Sequence, residues 1–437
     1  MKGAKPLNID KRIVYEAFKK VKFNGGSAGI DNVDMEKYES NRSDNLYKLW
    51  NRMSSGSYFP QPVKLVEIPK SGGGTRPLGI PVIEDRIAQM TAVLMIEPLI
   101  EPHFHKDSYG YRPRRSAHEA VAAAQERCFR YAWVLDMDIT KFFDTIDHEL
   151  LMKAVRCHVE EKWILMYIER WIKVPYQNSN GERIERTKGV PQGSVIGPIL
   201  SNLFLHYVFD MWMAIYHPQI PFERYADDTI CHCRTEEEAK TLLAAIKIRF
   251  ATCHLELNDK KTKIVYCKTT RRGGSYENVS FDFLGFTFRP RGAKDRRHNV
   301  LFTSFLPAIS KKSARHIREV IRSWNLSGKR FVGMQDIANE INPVVCGWIN
   351  YYGKFGKTEF RKVMLYLNRV IAYWIKKKYK RYARKSVIAA HYRLAAIAES
   401  FKPFYHWQEG YYPYRRAKVY GFKYEEPCDW RRSSTVL

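Results

Sequence analysis

The sequence predicts an α+β fold in which strands and helices mix in the first two thirds and helices dominate the last third. Alternating apolar residues, which indicate strands, occur in segments such as 134–139 and 222–233. Beyond residue 300 this alternation mostly disappears, and helical spacing predicts helices at about 308–325, 334–342, 358–384 and 386–399. Hydrophobic residues make up 45% of the 437 residues and aromatic residues 14%, which excludes a disordered chain and predicts two or three domains.

The first two thirds divide into recognisable elements. A loop rich in glycine separates two strand-like runs at 63–68 and 76–80, which predicts a β-hairpin. Ser116, followed by Glu119, is a capping box that begins a helix running to about residue 127. The remaining predicted elements are helices at 11–22, 42–53, 82–101, around 196–203 and 236–252, more than one helix between 148 and about 172, and strands within 174–190 and at 262–267 and 279–288.

The chain is strongly basic, with 73 Lys and Arg against 46 Asp and Glu and a formal net charge of +27. Residues 301–437 hold 27 basic and 9 acidic residues, so two thirds of the excess lies in the last third. A polyanion, above all nucleic acid, is the expected partner, because each phosphate neutralised by Lys or Arg releases a counterion. The eight cysteines are scattered singly and no segment has the length and apolarity of a signal or membrane span, so we expect a reduced, cytoplasmic protein with no membrane partner.

Three aspartates are the most informative candidates for chemistry. The alternation in 134–139 puts Asp136 and Asp138 on one face of a strand. Asp227 and Asp228 lie where two alternating runs meet, which is typical of a tight hairpin turn. Brought together, Asp138, Asp227 and Asp228 would form the oxygen cage that Mg²⁺ prefers. Taken alone, an Asp-Asp turn is far more often a solvated turn than a metal site.

The sequence around these aspartates resembles that of reverse transcriptases. Tyr-Ala-Asp-Asp at 225–228 resembles their catalytic box, Asp138 and Phe143 their first catalytic strand, and Pro-Gln-Gly at 191–193 the start of their nucleotide-binding helix. Further motifs resemble, in order, bacterial group II intron reverse transcriptases with a maturase domain. These motifs are residues 68–81 (IPKSGGGTRPLGIP), 109–113 (YGYRP), 142–144 (FFD), 257–258 (LN) with Lys261, 283–286 (FLGF) and 342–352 (NPVVCGWINYY).

The resemblance implies a right-hand polymerase with an antiparallel palm sheet backed by helices and an α-helical thumb/maturase domain. The implied domains are an N-terminal extension at 1–55, fingers and palm at 56–295, the helical domain at 300–385 and a small basic nucleic-acid-binding region at 386–437. The implied activity is RNA-directed DNA synthesis with two Mg²⁺ ions, for which Mn²⁺ can substitute. Asp138, Asp227 and Asp228 would be catalytic and hold the metals, and Ile139 is a further metal-contacting position.

The same resemblance implies a set of substrate-binding residues. Lys70 and Arg76, facing each other across the glycine-rich hairpin, would neutralise the triphosphate, although solvated hairpin charges are the alternative. The ring of Phe143 would stack under the sugar and exclude a 2′-hydroxyl, whereas its neighbour Phe142 is expected in the core. The full set is Lys70, Arg76, Phe143, Gln192, Gly193 and Lys261, with a surface salt bridge as the alternative for Lys261.

Nucleic-acid contacts are expected in two places. Tyr109 and Arg112 would contact the template, with salt bridging as the alternative for Arg112. Residues 367–385 are basic without an acid and contain four aromatic residues, a pattern typical of binding to structured RNA. The basic residues chosen there are Lys377, Lys380, Arg381 and Arg384. The aromatic, basic tail at 404–416 suits target DNA or more RNA, and the sequence leaves that choice open.

The implied partners are structured RNA of a group II intron, an RNA template with a DNA primer, deoxynucleoside triphosphates and target DNA. A monomer and a dimer both remain open. One alternative is a free-standing relative that serves phage defence or DNA repair without splicing. Another, from a different class, is an RNA-binding splicing factor with a relic polymerase site, although the intact set of aspartates argues against it.

Overall fold

A computed structural model of the protein describes residues 7–69, 74–294 and 298–413. The chain divides into two compact units. The first unit comprises residues 1–284 and 289–305, and the second unit comprises residues 285–288 and 306–437. Both are described below from their own contacts.

The helices of the first unit begin and end close to the predicted positions. Ser116 caps one of them, because its hydroxyl accepts a hydrogen bond from the Glu119 N–H at 3.2 Å while the Glu119 carboxylate accepts one from the Ser116 N–H at 2.6 Å. A π-helical turn at His206–Asp210 joins two of the helices. The helices are α1 (Lys11–Asn24), α2 (Met35–Ser40), α3 (Arg42–Ser55), α4 (Ile83–Ile100), α5 (Ala117–Arg130), α6 (Phe142–Thr145), α7 (His148–Arg156), α8 (Lys162–Lys173), α9 (Gly197–Leu205), α10 (Met211–Tyr216) and α11 (Glu236–Thr252).

Among the described residues, eight strands of the first unit form two four-stranded sheets, and a ninth, β9, belongs to neither of them. One has the order β2-β1-β4-β5 and contains the predicted hairpin, in which β1 and β2 are antiparallel. The other has the order β6-β7-β3-β8 with every neighbouring pair antiparallel, which confirms the predicted antiparallel sheet. The strands are β1 (Val63–Pro69), β2 (Thr75–Ile80), β3 (Trp133–Met137), β4 (Tyr176–Gln177), β5 (Arg183–Ile184), β6 (Phe222–Tyr225), β7 (Asp228–Cys233), β8 (Lys263–Tyr266) and β9 (Phe281–Phe283).

Two strand predictions near residue 300 were wrong. The single strand expected at 279–288 is divided between β9 and β10 (Phe286–Lys294), because Leu284 and Gly285 both have positive φ angles, 50° and 79°. The structure also contains β11 (Leu301–Ile309), a nine-residue strand that we did not predict and whose end occupies the expected start of a helix at about 308. Its buried residues do not alternate with exposed ones and it contains Pro307, so the period-2 signal is missing.

The second unit is helical, and its helices differ in two places from the prediction. The third of the predicted helices breaks at Tyr379, whose φ of −101° and ψ of 115° are extended. The second continues well past residue 342, with Pro343 inside it. The helices are α12 (Lys311–Ser323), α13 (Met334–Tyr352), α14 (Lys357–Lys378), α15 (Lys380–Ala383), α16 (Val387–Ser400) and α17 (Tyr405–Gln408). Within the described ranges, no helix is long and apolar enough to cross a membrane.

The aromatic tail packs into the core of the second unit. Asn368 on α14 donates a hydrogen bond to the Tyr411 carbonyl at 2.9 Å and accepts one from the Trp407 indole at 2.7 Å. Phe404, His406 and Trp407 are all fully buried. These three rings are therefore structural and are not available to stack on bases, whereas Tyr405, Tyr411 and Tyr412 of the same tail are half-buried. Residues 414–416 of the expected binding segment lie outside the described residues.

Candidate active site

The three aspartates meet at one edge of the antiparallel sheet. Tyr225 pairs with Asp228, so Ala226 and Asp227 form a two-residue turn between β6 and β7. Asp138 directly follows β3, whose last residue, Met137, pairs with Thr229 on β7. The end of β3 therefore lies beside the turn, and the structure brings together the carboxyl groups that the sequence analysis selected.

The carboxyl groups of this cluster lie close enough to interact electrostatically. Burial and, after it, the neighbouring charge of Asp227 together raise the pKa of Asp228 to about 7. Burial also raises the pKa of Asp227, with Asp138 adding to the shift while Arg76 opposes it. Crowded, partly buried carboxylates of this kind bind hard divalent cations, which neutralise them. The donor chemistry therefore fits a divalent metal held by Asp138, Asp227 and Asp228.

Lys261 forms a salt bridge with the carboxylate of Asp138. Its Nζ lies 3.2 Å from Oδ1 and 3.1 Å from Oδ2 of that residue. The geometry therefore matches the salt-bridge alternative for Lys261, and a metal would have to displace the ammonium. Among the described residues no group of three or more His, Cys, Asp or Glu side chains is arranged to hold a metal ion. The side chain of Ile139 is buried, so only its backbone is available to a metal.

Asp136 is a fourth carboxyl group in the same cluster. Burial and, after it, the charge of Asp228 together raise its pKa to about 8. Its position on the same face as Asp138 was the sequence signal for this proximity. Asp136 is not among the site residues predicted from the sequence.

Arg76, Gln192 and Gly193 lie together beside the aspartates. The Arg76 Nε donates a hydrogen bond to the Gln192 side chain at 2.6 Å, and the Gly79 N–H donates one to the Gln192 carbonyl at 2.7 Å. Gly193 has a φ of +107°, and a Cβ there would overlap the Gly79 carbonyl oxygen, so this close approach requires glycine. Arg76 is exposed, and its positive charge opposes the rise in the pKa of Asp227. Lys70 lies outside the described residues.

Phe142 and Phe143 have different surroundings. Phe142 is 2% exposed and belongs to the core, as expected. Phe143 is half-buried, with its ring centroid 5.3 Å from that of Phe142. Its backbone carbonyl accepts a hydrogen bond from the Val190 N–H at 2.7 Å, which ties it to the segment that contains Gln192. Phe143 is therefore the ring that remains partly accessible.

Arg112 is hydrogen-bonded to other groups of the protein, and Tyr109 is buried. Arg112 donates to the Glu101 carboxylate at 2.7 Å and to the carbonyls of His105 and Ser108 at 2.7 and 2.8 Å. Its side chain is 9% exposed, so the structure favours the salt-bridge alternative over contact with a phosphate. Tyr109 is 5% exposed, which leaves little of its ring for template contact.

Tyr111 is the residue of this motif that the sequence analysis missed. Its side chain is 56% exposed, and its ring centroid lies 6.3 Å from that of Tyr225. Burial and the charge of Asp227 raise its pKa, which places it near the aspartates. The two tyrosines of the motif look equivalent in the sequence, and only the fold distinguishes the buried one from the exposed one.

The basic residues selected in the second unit are all exposed. We call them the α14–α15 cluster: Lys377, Lys380, Arg381 and Arg384. None of them forms an ion pair within the part of the chain that the structure describes. Of the four aromatic residues expected to stack on bases, Tyr373 and Tyr379 are exposed, whereas Trp374 and Tyr382 are buried. The break at Tyr379 separates Lys377 from the other three.

The fold and the aspartate cluster define a polymerase of the right-hand class. Residues 68–288 match the reverse transcriptase (RNA-dependent DNA polymerase) family, and residues 314–392 match the maturase-specific domain of group II introns. The first match spans half of the sequence, and the chain belongs to the reverse transcriptase family. The resemblance to group II intron reverse transcriptases that the motifs indicated is confirmed.

Individual relatives share part of the chain. Protein YkfC of Escherichia coli K12 is 38% identical over 190 residues, which cover 42% of this chain and 49% of the relative. The group II intron-encoded protein LtrA of Lactococcus lactis subsp. cremoris is 29% identical over 195 residues, covering 44% of this chain and 32% of LtrA. A putative COX1/OXI3 intron 2 protein of Saccharomyces cerevisiae is 30% identical over 201 residues, which cover 46% of this chain and 23% of that protein. The matched segment spans less than half of the length of each relative.

Proposed function

We propose that this protein is an RNA-directed DNA polymerase. The observation that carries the proposal is the cluster of Asp138, Asp227 and Asp228 at one sheet edge in a chain of the reverse transcriptase family. Two Mg²⁺ ions, with Mn²⁺ as a substitute, would bring a primer 3′-hydroxyl and an α-phosphate into line and neutralise the developing charge.

The residues around the cluster suit the substrates. Arg76 is exposed beside Asp227, and its guanidinium provides positive charge for the triphosphate of a deoxynucleotide. Lys261 adds a second positive charge at the Asp138 side. Gln192 and Gly193 line the approach between β2 and the aspartates. The half-buried ring of Phe143 is the group that excludes a ribose 2′-hydroxyl.

We further propose that the protein binds the structured RNA of a group II intron and assists its splicing and mobility. The match of residues 314–392 to the maturase-specific domain and the exposed α14–α15 cluster support this role. The partners would be that RNA, an RNA template with a DNA primer, and target DNA, all within the bacterial cytoplasm. The intact aspartates favour a working polymerase over a splicing factor with a relic site.

Primer extension on an RNA template tests the activity. The purified protein should extend a DNA primer with deoxynucleotides and Mg²⁺, and Asp138→Asn should abolish extension while leaving RNA binding intact. Failure of the wild-type protein to extend with either Mg²⁺ or Mn²⁺, or full activity of Asp138→Asn, would refute the proposal.

Splicing distinguishes the maturase role from the free-standing alternative. The flanking genomic DNA should encode a folded intron, and the protein should accelerate splicing of its transcript. Extension without any effect on splicing would support a free-standing enzyme of defence or repair.

A further inference from the structure

Arg224 is a fully buried charged residue two positions before the turn that carries Asp227. Its Nε donates to Oδ1 of Asp210 at 2.7 Å and its Nη2 donates to Oδ2 at 2.6 Å. Asp210 is also fully buried, and although burial alone would raise its pKa, Arg224 holds that pKa below the ordinary value. Two parallel bonds between guanidinium and carboxylate fix direction as well as charge, so the side chain of Arg224 has a defined orientation.

The third nitrogen of the Arg224 guanidinium, Nη1, contacts the turn. The Nη1 of Arg224 donates to the Ala226 carbonyl at 3.1 Å and to the Asn202 side chain at 3.0 Å. Ala226 has a φ of 58°, a conformation that an L residue other than glycine seldom adopts. Such a conformation persists only where the surroundings hold it, and the bond from Arg224 is one such restraint.

A second restraint comes from the loop at residues 108–111. A Cβ on Gly110 would overlap the backbone nitrogen of Ala226, so this loop packs directly on the turn. The Tyr109 N–H donates to the Arg224 carbonyl at 2.8 Å. Asn202 joins the two restraints, because its amide also donates to the Gly110 carbonyl at 2.6 Å. The turn is therefore held between Arg224 and the loop.

Asp210, which orients Arg224, ends the π-helical turn His206–Asp210 between α9 and α10. Such turns inside helices often occur at functional sites, where they redirect a side chain. Asn202 lies on α9, the helix that directly precedes this π-helical turn. The helix that carries both partners of Arg224 is thus part of the support of the turn.

We propose that Arg224, oriented by Asp210 and Asn202, is a positioning residue that fixes the Ala226–Asp227 turn and so sets the place at which Asp227 presents its carboxylate to a metal ion. This inference rests on the proposed polymerase function. Arg224 is not a catalytic residue, because it is fully buried and acts through the turn.

The decisive variant is Arg224→Lys. Lysine keeps the buried positive charge but lacks the planar fork, so it does not bond Asp210, Asn202 and Ala226 at once. A displaced Asp227 should lower kcat for deoxynucleotide addition by about 10²-fold, since misplacement by about 1 Å costs that much. The KM for the nucleotide should change little. Electron paramagnetic resonance of Mn²⁺ added to the protein without nucleic acid should show weaker binding.

Asp210→Asn and Glu223→Gln form a matched pair of variants. Each converts a fully buried carboxylate that pairs with an arginine into an amide. Glu223 neighbours Arg224 in sequence, but its side chain bonds Arg127 and His232 and not the turn. Asp210→Asn should lower kcat and Mn²⁺ affinity, in the direction of Arg224→Lys, whereas Glu223→Gln should lower thermal stability alone.

The outcomes separate this inference from the function on which it rests. Wild-type kcat and Mn²⁺ binding in folded Arg224→Lys and Asp210→Asn would overturn the positioning role, as would an equal loss of both in Glu223→Gln. If Arg224→Lys does not fold, Asp210→Asn decides. A wild-type protein without polymerase activity would refute the proposed function, and the Mn²⁺ measurements would still decide whether Arg224 positions the turn.

Discussion

The two units use their basic side chains in different ways. In the first unit, Arg224 is bonded to Asp210 at 2.6 Å, Arg112 to Glu101 at 2.7 Å and Lys261 to Asp138 at 3.1 Å. In the second unit the four members of the α14–α15 cluster are exposed and form no ion pair within the described part of the chain. Buried or paired arginines such as Arg224 and Arg112 thus support the framework of the first unit, whereas the α14–α15 cluster of the second unit is available to a polyanion.

This difference indicates a division of labour that can be tested. The first unit should carry the chemistry and the second unit a large part of the affinity for structured RNA. Variants that lose polymerisation but keep RNA binding, or the reverse, would support this division of labour. A variant that loses both would contradict it.

The largest expected effect belongs to Asp227→Asn. Loss of one carboxylate of the metal cage should reduce primer extension by several orders of magnitude. Binding of folded RNA should stay at the wild-type level, because the α14–α15 cluster is unchanged. Single-turnover extension and fluorescence anisotropy measure the two properties.

Asp136→Asn is the matched control for Asp227→Asn. Without a metal ion, burial and the charge of Asp228 raise the pKa of Asp136 to about 8, so Asn replaces a carboxyl group that is mostly neutral in that state. Most of the extension activity should therefore remain. An equal loss in both variants would mean that charge in the cluster as a whole, and not metal contact by Asp227, is what extension requires.

The next effect concerns the second unit. Replacing the four residues of the α14–α15 cluster by Ala should weaken binding to folded RNA and flatten its dependence on salt. The log–log slope should fall by roughly 0.7 to 0.9 for each RNA phosphate that the variant no longer neutralises, or roughly 3 if all four residues bind phosphates. Extension of a short annealed duplex at saturating enzyme should be much less affected.

A control with the same change in net charge is available in the first unit. Four of its exposed lysines each pair with a carboxylate three or four residues away, at 2.6 to 2.7 Å, and replacing them by Ala should leave the salt slope nearly unchanged. If the slope fell equally, net charge and not the α14–α15 cluster would govern RNA binding. The four control residues are Lys19, Lys48, Lys173 and Lys240.

A smaller effect is expected for Phe143→Ala. Removing the ring should lower the preference for deoxynucleotides over ribonucleotides by roughly tenfold or more, measured as the ratio of the two kcat/KM values. Phe142→Leu should reduce stability and leave that ratio unchanged, because Phe142 is a core residue. An unchanged ratio in Phe143→Ala would remove the ring from the nucleotide site.

The smallest effect is a difference in pH dependence. Burial lowers the pKa of His406 in the second unit to about 3. The unfolded chain then binds more protons between about pH 6.5 and pH 3, so this residue makes stability fall as the pH falls through that range. His406→Gln should reduce the slope by up to about 1.4 kcal/mol per pH unit, measured by chemical unfolding at several pH values. An identical slope would show that His406 becomes protonated without unfolding.

Local sequence patterns predicted most of the elements, and the resemblance of the motifs to reverse transcriptases indicated the chemical type of the site. Alternation located β3, β6 and β7, and the two-residue Ala226–Asp227 turn follows from the meeting of two alternating runs. These features depend on neighbours within a few residues. The same patterns missed β11, because packing against distant segments decides its burial and it lacks a period of two.

Only the tertiary structure decided what each charged or aromatic side chain contacts. Lys261 meets Asp138 from 123 residues away, and Arg224 meets Asp210 from 14 residues away. Tyr109 is buried and Tyr111 is exposed, although they stand two residues apart in one motif. Such pairings are set by packing between distant segments, and a buried charge is tolerated only where packing supplies its partner. The sequence therefore specified which chemistry is present, and the fold decided which residues are free to perform it.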